Sequence, residues 1–366
     1  MVWMIGLRCS AGGLLVQLCL AALNKDGTVY TKRRRSGGDS VQELTITIGD
    51  ARELLEAALS KTKCPPDDRA SIIDHILRSE VNGHSSHGFL RMPKILDDLQ
   101  SEQRSRELRK VGPALLELSG NGTQGIACIS DLCRHTTALA ETSGAAVGFS
   151  HGYVGTTGSL GIYAHQLALN GFVSISFCHS EYAVAPYGGA DAILGTNPLC
   201  VGIPGPKRRP IIADLATSAW SYGALKEAMN AGVAVPEGVV QDVDGNPSTD
   251  PNDADNGSQL PLGGHKGYAL GLAIELICGA VIGGKLGEKA KAGGDSFFLL
   301  QFPYDAVRNR SAVESDTASL LEEILRSRLA PGHKGIRIPG SQYLVDVENA
   351  QEITVQKSLL EAIASI

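Results

Sequence analysis

The 366-residue sequence contains few aromatic residues and no pair of cysteines in a C-x-x-C spacing. Aromatic side chains make up 5% of the chain, so its core has to be built mainly from Ala, Val, Ile and Leu. The eight cysteines are scattered, which in a chain of this length favours reduced, buried thiols over a disulfide framework. The charged fraction of 20% and the apolar fraction of 43% are typical of an ordinary globular protein.

The sequence also lacks a long basic face and an apolar run long enough for a membrane. Its formal net charge is −6, so we predict no nucleic-acid partner. The apolar run Ala11–Leu23 is too short to cross a bilayer. The run Ala269–Ile282 contains Glu275 and is interpreted as a buried helix. We therefore predict no membrane partner.

Two ligand-binding fingerprints are missing as well. No stretch matches G-x-G-x-x-G with an acidic residue about 20 positions later. The glycines Gly155, Gly158 and Gly161 have a different spacing, so the sequence does not indicate a Rossmann domain and a nucleotide has to be held in another way. Residues 242–246 carry two acids, but the glycine and the terminal glutamate of an EF-hand are not in the required places, and we predict no metal site.

The first 40 residues differ from the rest of the chain. Residues 1–23 are mostly apolar with only Arg8 charged, and the basic cluster Lys32–Arg35 follows. A secretory signal would carry its positive charges before the apolar part. A mitochondrial leader and a non-native extension from an imprecise gene boundary both stay open. We expect a cytoplasmic protein whose folded part begins near Leu44.

Proton-transfer and anion-binding side chains are concentrated in residues 83–91. His87 and Arg91 are four positions apart, so a helix beginning near Ser86 would place them on one face, roughly 5–6 Å apart at Cβ. An imidazole can transfer a proton near neutral pH, and a guanidinium can bind a carboxylate through two parallel hydrogen bonds. The pattern fits a site for a small 2-oxo or 2-hydroxy acid. The alternative is a polar loop with a helix N-cap at Ser85 or Ser86.

Hydrophobic periodicity predicts two helices before this stretch, Ile48–Ser60 capped by Asp50, and Asp67–Val81. Further along, a strand at 145–149, a glycine-rich loop, a helix at 160–170 and a strand at 173–177 are typical of an α/β fold. Ligands bind at the loops that follow such strands. The last helix is predicted over Val355–Ile366.

Two further residues carry chemistry that a ligand site needs. Asp214 directly follows a buried strand and can orient an imidazole or accept a hydrogen bond from a ribose hydroxyl. The alternative is that Asp214 caps a following helix. Lys266 lies in a glycine-rich turn at the start of the apolar helix, where backbone N–H groups and the helix dipole favour a phosphate or carboxylate. The alternative is a solvated lysine in a flexible turn.

Seven motifs occur together in one order. They are Ser86-His87-Gly88-x-x-Arg91, Val184-Ala185-Pro186-x-Gly188-Gly189, Leu194-Gly195-Thr196-Asn197-Pro198, Asp214-Leu215-Ala216-Thr217-Ser218, Val235-Pro236-Glu237-Gly238, Asp244-Gly245-Asn246-Pro247 and Leu262-Gly263-Gly264-x-Lys266-Gly267-Tyr268. Each motif is weak alone, whereas the ordered set is specific. Over roughly residues 44–345 the chain resembles the type-2 malate/L-lactate dehydrogenase family.

The resemblance implies an α/β fold of its own kind, distinct from the Rossmann fold, with a mixed sheet. It implies a cofactor-binding domain at 116–304 and a helical, substrate-side domain formed by 41–115 and 305–366, after the extension at 1–40. Members of this family are homodimers that use NAD or NADP. Their substrates include malate, lactate, ureidoglycolate, sulfolactate, diketogulonate and cyclic imino acids.

The resemblance also assigns site residues by position. The substrate and proton-transfer motif corresponds to Ser86, His87 and Arg91, and the cofactor site corresponds to Ser180, Asp214, Leu215, Ala216 and Lys266. One departure is Tyr153, which stands where the family usually has a histidine that is often assigned as proton acceptor. The nearest histidine is His151, which takes that role through a shifted loop, or His87 acts alone, or the chemistry is impaired. A second departure is His179, where an asparagine is common.

The sequence therefore predicts an NAD- or NADP-dependent oxidoreductase that transfers hydride between the nicotinamide and a small 2-hydroxy or 2-oxo acid such as malate or L-lactate. A cyclic imino acid reductase of the same family is the alternative within this class. A nucleotide-binding pseudoenzyme, favoured by Tyr153, and a lyase or transferase using Lys266 as a Schiff-base amine also stay open. The expected partners are a small carboxylic acid and a second copy of the chain.

Overall fold

The computed structural model describes residues 33–36, 39–101, 104–292, 296–343 and 347–366. Most of the predicted N-terminal extension thus lies outside the described residues. Fifteen strands are formed by the described part of the chain. They are β1 (Arg33–Ser36), β2 (Asp39–Thr47), β3 (Glu107–Gly112), β4 (Leu115–Ser119), β5 (Ala146–His151), β6 (Phe172–His179), β7 (Tyr182–Val184), β8 (Leu194–Gly195), β9 (Leu199–Ile203), β10 (Ile211–Leu215), β11 (Val240–Gln241), β12 (Pro247–Ser248), β13 (Ser258–Gln259), β14 (Ser296–Pro303) and β15 (Glu352–Gln356).

The same residues form ten α-helices and several shorter helical turns. The α-helices are α1 (Ile48–Leu59), α2 (Pro66–Val81), α3 (Met92–Asp98), α4 (Gly125–Ser143), α5 (Leu160–Leu169), α6 (Tyr222–Ala231), α7 (Asp253–Asn256), α8 (His265–Leu276), α9 (Arg310–Arg326) and α10 (Lys357–Ala364). Turns of 3₁₀ helix cover Ser85–His87, Phe89–Arg91, Pro206–Arg208 and Gly287–Ala292, and a π-helical turn, Ile277–Val281, continues α8. Within this described part, no helix is long and apolar enough to span a membrane.

The largest sheet has seven strands in the order β10-β9-β6-β14-β5-β4-β3. Only β4 and β5 pair in parallel, and every other neighbouring pair in this sheet is antiparallel. A five-stranded sheet has the order β12-β11-β13-β7-β8, and a three-stranded sheet joins β1, β2 and β15. The predicted mixed α/β architecture is therefore confirmed, while the proposed division into two domains stays a prediction.

Helices cover both faces of the seven-stranded sheet. Neighbouring residues of a strand point to opposite faces, and the adjacent residues Cys178 and Phe177 of β6 belong to different apolar clusters. Cys178 packs in the cluster that α4 and α5 share with the sheet. Phe177 packs with Ile274 of α8 and stacks on Phe298 at 4.5 Å between ring centroids. The chain therefore forms three layers, with α2 packed outside α4 and α5.

The two ends of the described chain share one apolar core. Strand β15 pairs antiparallel with β2, and the cluster around α1, α2 and α3 includes Val355 and Ile363. The predicted helix over Val355–Ile366 is therefore partly wrong. Ile353 and Val355 alternate with exposed residues and bury their side chains against β2, so the helix begins only at Lys357.

The predicted helices before the histidine-rich stretch are confirmed, with one corrected cap. The structure has α1 at Ile48–Leu59 and α2 at Pro66–Val81. The hydroxyl of Thr47, not Asp50, caps α1, since its Oγ1 accepts a hydrogen bond from the Asp50 backbone N–H at 3.1 Å.

The described cysteines agree with the expectation of reduced, buried thiols. Six of the eight lie in the described part of the chain, and all six are free and buried. Burial raises the pKa values of Cys133 and Cys178 to about 12, so both are thiols at neutral pH. Cys9 and Cys19 lie outside the described residues.

A charge cluster centred on Arg106 ties α2 and α4 to the loop before β3. The Arg106 guanidinium donates two hydrogen bonds to the Asp68 carboxylate, at 2.9 and 2.7 Å, and a third to Asp131 at 3.2 Å. Asp68 is only 5% exposed. Removing the guanidinium would leave this carboxylate buried without its counter-charge, which is costly.

We expect Arg106→Ala to lower the free energy of unfolding by about 3–5 kcal/mol. The matched control is Arg308→Ala, because Arg308 pairs with Asp316 at 2.8 Å while both side chains are more than half exposed. Such an exposed pair contributes about 0–1 kcal/mol. Urea unfolding followed by circular dichroism measures both. Equal losses in the two variants would contradict the assigned role of Arg106.

Candidate active site

The stretch that carries His87 folds as two short turns instead of one helix. Turns of 3₁₀ helix at Ser85–His87 and Phe89–Arg91 are separated by Gly88, whose ψ of −135° interrupts the helical path. A helix beginning near Ser86, the condition for His87 and Arg91 to share one helical face, is therefore not formed, and α3 starts only at Met92. The alternative of a serine N-cap is also wrong, because neither turn has a side-chain cap and Ser85 instead donates to Glu80.

The turns nevertheless bring Ser86, His87 and Arg91 together. Ser86 Oγ lies 3.1 Å from His87 Nδ1, within hydrogen-bonding distance. Arg91 Nε donates to the Ser86 carbonyl oxygen at 2.8 Å. That bond uses one edge of the guanidinium, and its two terminal nitrogens have no hydrogen bond to a residue that the structure describes. They are available to a carboxylate.

The electrostatic setting keeps His87 neutral. Burial lowers the pKa of His87 to about 4, and the nearby Arg91 and His84 act in the same direction. Burial also lowers the pKa of Arg91, while Glu181 opposes that shift. The imidazole is therefore a proton acceptor in the resting protein, next to a guanidinium.

Helix α2 also holds the glycine-rich loop that precedes α5. The buried His75 accepts a hydrogen bond at Nε2 from the Ser159 backbone N–H, at 2.8 Å. A Cβ on Gly158 would lie 2.3 Å from the same nitrogen, so only glycine fits there. Burial lowers the pKa of His75 to about 3, which leaves the ring neutral and able to accept.

The residues named in the two departures from the family pattern, Tyr153, His151 and His179, each contact other groups. Tyr153 is 1% exposed, and its hydroxyl lies 3.1 Å from Thr157 Oγ1 in the same loop. His151, at the end of β5, has its Nε2 2.9 Å from the Glu117 carboxylate on β4. The assignment of His151 as proton acceptor stays a prediction. His179 is buried between Ser296 Oγ and the carbonyl of Lys285, each at 2.7 Å.

Asp214 lies at the end of β10 and faces the start of α5. Its Oδ2 accepts hydrogen bonds from the Gly161 backbone N–H at 3.0 Å and from the Tyr343 hydroxyl at 3.3 Å. Desolvation by the surrounding protein raises the pKa of Asp214, and these two bonds oppose that shift. The alternative role as a helix cap is wrong, because α6 is capped by Ser221, which accepts from its own helix at 3.2 Å.

Tyr343 belongs to the site and was not indicated by the sequence. Its ring stacks on His84 at 5.2 Å and lies 5.9 Å from the His165 ring, between centroids. Through its hydroxyl it contacts Asp214, so it connects the histidine-rich stretch with the end of β10. No motif or periodicity marks Tyr343, which is 129 positions from Asp214 along the chain.

The segments that carry the predicted cofactor residues are hydrogen-bonded in series. Ser180 Oγ accepts from the Thr196 backbone N–H at 3.1 Å. The Thr196 carbonyl accepts from the Thr217 backbone N–H at 2.9 Å, and the Thr217 carbonyl accepts from the Leu262 backbone N–H at 2.8 Å. The turn after β6, the segment of Asp214, Leu215 and Ala216, and the turn before Lys266 therefore form one connected frame.

Lys266 lies in the first turn of α8, directly after this frame. Its side chain is exposed and forms no ion pair with a residue in the described part of the chain. Gly263 and Gly264, with φ of +59° and +66°, shape the preceding turn. These features fit an anion site and equally a solvated lysine, so the assignment of Lys266 stays a prediction.

The histidine-rich turns lie beside the start of α6 and near the turn that carries Ser180. A Cβ on Gly223, at the start of α6, would be 3.1 Å from Ser86 Cβ and Oγ, so this helix packs directly on the serine. Arg91 is close enough to Glu181, the neighbour of Ser180, for that carboxylate to raise its pKa. The turn that carries Ser180 is therefore near Arg91, and Tyr343 brings Asp214 near His84.

Comparison with known proteins identifies the class. The sequence profile of the malate/L-lactate dehydrogenase family matches residues 46–364, and the chain belongs to that family. It is 33% identical over 257 residues to the L-sulfolactate dehydrogenase of Methanothermobacter thermautotrophicus, covering 67% of this chain and 72% of that protein. It is 27% identical over 337 residues to the malate/(S)-sulfolactate dehydrogenase of Methanothermus fervidus, covering 88% of this chain and 97% of that protein.

Among solved structures, the fold is similar to that of the sulfolactate dehydrogenase from Methanocaldococcus jannaschii. The TM-score is 0.78 and the sequence identity is 26%, over 88% of this chain and 96% of that chain. The resemblance that the seven motifs suggested is therefore confirmed at the level of the family. The particular substrate and the choice of cofactor are separate questions.

Proposed function

We propose that this protein is an oxidoreductase that uses NAD or NADP to interconvert a small 2-hydroxy acid and its 2-oxo acid. The observation that carries the proposal is the arrangement of Ser86, His87 and Arg91. A neutral imidazole lies beside a guanidinium whose terminal nitrogens have no hydrogen-bonding partner among the described residues. Malate and sulfolactate, named for the relatives, are acids that such a pair can bind.

The donor groups near α8 fit a dinucleotide. An exposed lysine in the first turn of a helix, after two glycines with positive φ, suits the phosphates of such a cofactor. In this proposal Lys266 holds the phosphates, and Ser180, Asp214, Leu215 and Ala216 line the rest of the cofactor site. When bound, a nicotinamide supplies or accepts the hydride, and the protein supplies orientation and charge.

Arg91 binds the substrate carboxylate in this proposal. Its guanidinium is held over the Ser86 carbonyl by the Nε bond, so the terminal nitrogens are oriented before the substrate arrives. A bound carboxylate also offsets the positive charge that helps to lower the pKa of His87. Binding of the acid therefore raises the proton affinity of His87 at the moment when a proton has to move.

His87 exchanges the proton with the substrate oxygen. During oxidation the neutral ring accepts the hydroxyl proton at Nε2, provided that Nδ1 carries a proton and donates to Ser86 Oγ. During reduction the ring returns that proton to the carbonyl oxygen. Ser86 then fixes the ring orientation and the tautomer, a role that suits its distance of 3.1 Å from Nδ1.

The proposed homodimer has support from the surface of α9. No residue of this helix is buried within one chain, and Leu320 and Leu325 are 57% and 54% exposed. Exposed apolar side chains grouped on one helix are typical of an interface. We expect sedimentation equilibrium to give twice the mass of one chain, 38.4 kDa. A monomer at micromolar concentration would contradict the dimer.

The function is tested by measuring NADH and NADPH oxidation against pyruvate, oxaloacetate, sulfopyruvate and cyclic imino acids. NADH fluorescence titration is run beside it. We expect binding and oxidation with at least one 2-oxo acid. Binding without oxidation of any substrate would support a pseudoenzyme, and oxidation with cyclic imino acids alone would support an imino acid reductase. Trapping of a keto acid on Lys266 by borohydride would support the lyase instead.

A further inference from the structure

The carboxylate of Glu80 connects the end of α2 to both turns of the histidine-rich stretch. Its Oε1 accepts a hydrogen bond from the Ser85 hydroxyl at 2.7 Å. Its Oε2 accepts from the Phe89 backbone N–H at 2.9 Å. Ser85 begins the first 3₁₀ turn and Phe89 begins the second, so one side chain fixes the start of each.

The backbone between those two contacts is packed directly on the same carboxylate. A Cβ on Gly88 would lie 2.0 Å from Glu80 Oε2 and 3.4 Å from the Glu80 backbone nitrogen. A side chain at position 88 would therefore displace the Glu80 carboxylate. Burial raises the pKa of Glu80, and the hydrogen bonds from Ser85 and Phe89 oppose that shift.

Ser86 and His87 are the only residues between Ser85 and Gly88, so their backbone has little freedom. Arg91 holds the same segment from the other side through its bond to the Ser86 carbonyl. The orientation of a side chain is only as well defined as the position of the backbone that carries it. The direction of the His87 ring thus depends on Glu80, which lies seven positions earlier on a packed helix.

We propose that Glu80 is a positioning residue that fixes the turn carrying Ser86 and His87. This inference rests on the proposed function, in which those two residues handle the proton. Glu80 transfers no proton itself and acts only through its hydrogen bonds to Ser85 and Phe89. Displacement of a catalytic group by about 1 Å can cost about 10²-fold in rate, which sets the scale of the effect.

The variants Glu80→Ala and Glu80→Gln separate positioning from charge. A glutamine can accept from the Phe89 N–H with its oxygen and donate to Ser85 Oγ with its amide, so it keeps both hydrogen bonds and loses only the charge. Alanine loses both bonds. The control is Asp74→Asn, because Asp74 is also on α2, is also half-buried and also accepts two hydrogen bonds, from Arg78 and Gln166.

Three quantities are measured for each variant: kcat and KM with the best 2-oxo acid, the Kd of NADH by fluorescence, and amide hydrogen exchange of the peptide covering residues 84–91. We expect Glu80→Ala to lower kcat by about 10–100-fold. The Kd of this variant for NADH stays within about 3-fold of the original value, and amide hydrogen exchange in residues 84–91 becomes faster. Glu80→Gln stays within about 3-fold of the original kcat, and Asp74→Asn keeps both kcat and exchange unchanged.

An unchanged kcat together with unchanged exchange in Glu80→Ala overturns the proposal. A glutamine variant as impaired as the alanine variant overturns positioning by hydrogen bonds. If Glu80→Ala does not fold, Ser85→Ala removes one of the two bonds and is expected to lower kcat by a smaller factor, with faster exchange. Hydrogen exchange needs no turnover, so a protein inactive on every substrate would refute the proposed function while the exchange data still decide the role of Glu80.

Discussion

Replacing His87 with alanine is expected to lower kcat by about 10²–10⁴-fold, the usual contribution of a well-placed general acid or base. The imidazole is the titratable group held against Ser86 and beside Arg91, and the alanine variant leaves the substrate oxygen without that proton carrier. Steady-state oxidation of NADH or NADPH with the best 2-oxo acid measures the loss. The KM for the acid should change far less, because Arg91 remains.

Two further histidine variants complete that experiment. His333→Ala is the control, since His333 is exposed on a surface loop, and it should keep full activity. His151→Ala tests the other predicted proton carrier, which lies beside Glu117. If His87→Ala keeps the original turnover on every 2-oxo acid while His151→Ala loses it, the proton is handled by His151 and the role given to His87 is wrong.

The same assignment predicts a pH dependence. Burial lowers the pKa of His87 to about 4, so the ring is neutral and competent as a base over the whole neutral range. Oxidation of the 2-hydroxy acid should therefore fall only as pH drops toward that value, and reduction, which needs a protonated donor, should fall as pH rises. His87→Ala should remove both dependences from kcat/KM.

Replacing Arg91 with alanine is expected to raise the KM for the acid by about 10–150-fold, since hydrogen bonds to a charged group contribute about 1.5–3 kcal/mol. The loss should fall mainly on binding, with a smaller fall in kcat because Arg91 Nε also holds the Ser86 carbonyl. Arg91→Lys should recover little, because an ammonium offers a point charge without the planar fork.

A neutral substrate analogue makes the Arg91 test specific. The amide of the same 2-oxo acid lacks the carboxylate, so its kcat/KM should differ much less between the original protein and Arg91→Ala. Arg326→Ala serves as control, because Arg326 is 77% exposed and pairs only with Glu322 on its own helix among the described residues. Equal losses for the acid and the amide would show that Arg91 supports the turn and does not bind the carboxylate.

Local patterns were sufficient for much of the fold. The apolar spacing in α1 and α2 predicted both helices to within a residue, because each buries one face of a regular 3.6-residue repeat. The strand, loop and helix that lead from β5 to β6 were also predicted, since their apolar runs and glycine-rich turns are separate in sequence. His87 and Arg91 could also be predicted as candidate site residues, because they lie together in one short motif.

Other features depended on partners that lie outside the local pattern. The backbone after Ser86 is interrupted at Gly88, which packs on the Glu80 carboxylate of the preceding helix, and no pattern within residues 84–91 indicates that contact. The segment Glu352–Gln356 was expected to lie partly in the last helix. It is a strand because it pairs with β2, about 300 positions earlier, and local propensity cannot anticipate such pairing.

The sequence by itself determined the family, the mixed α/β class and the residue types available for proton transfer and carboxylate binding. Local motifs and hydrophobic periodicity are sufficient to indicate all three. Only the tertiary structure decided how those residues meet: that Tyr343 connects His84 with Asp214, and that Glu80 orients the turn of His87. The physical reason is that hydrogen bonds and packing are made in space. A motif specifies which groups exist, and the folded chain specifies which of them come into contact.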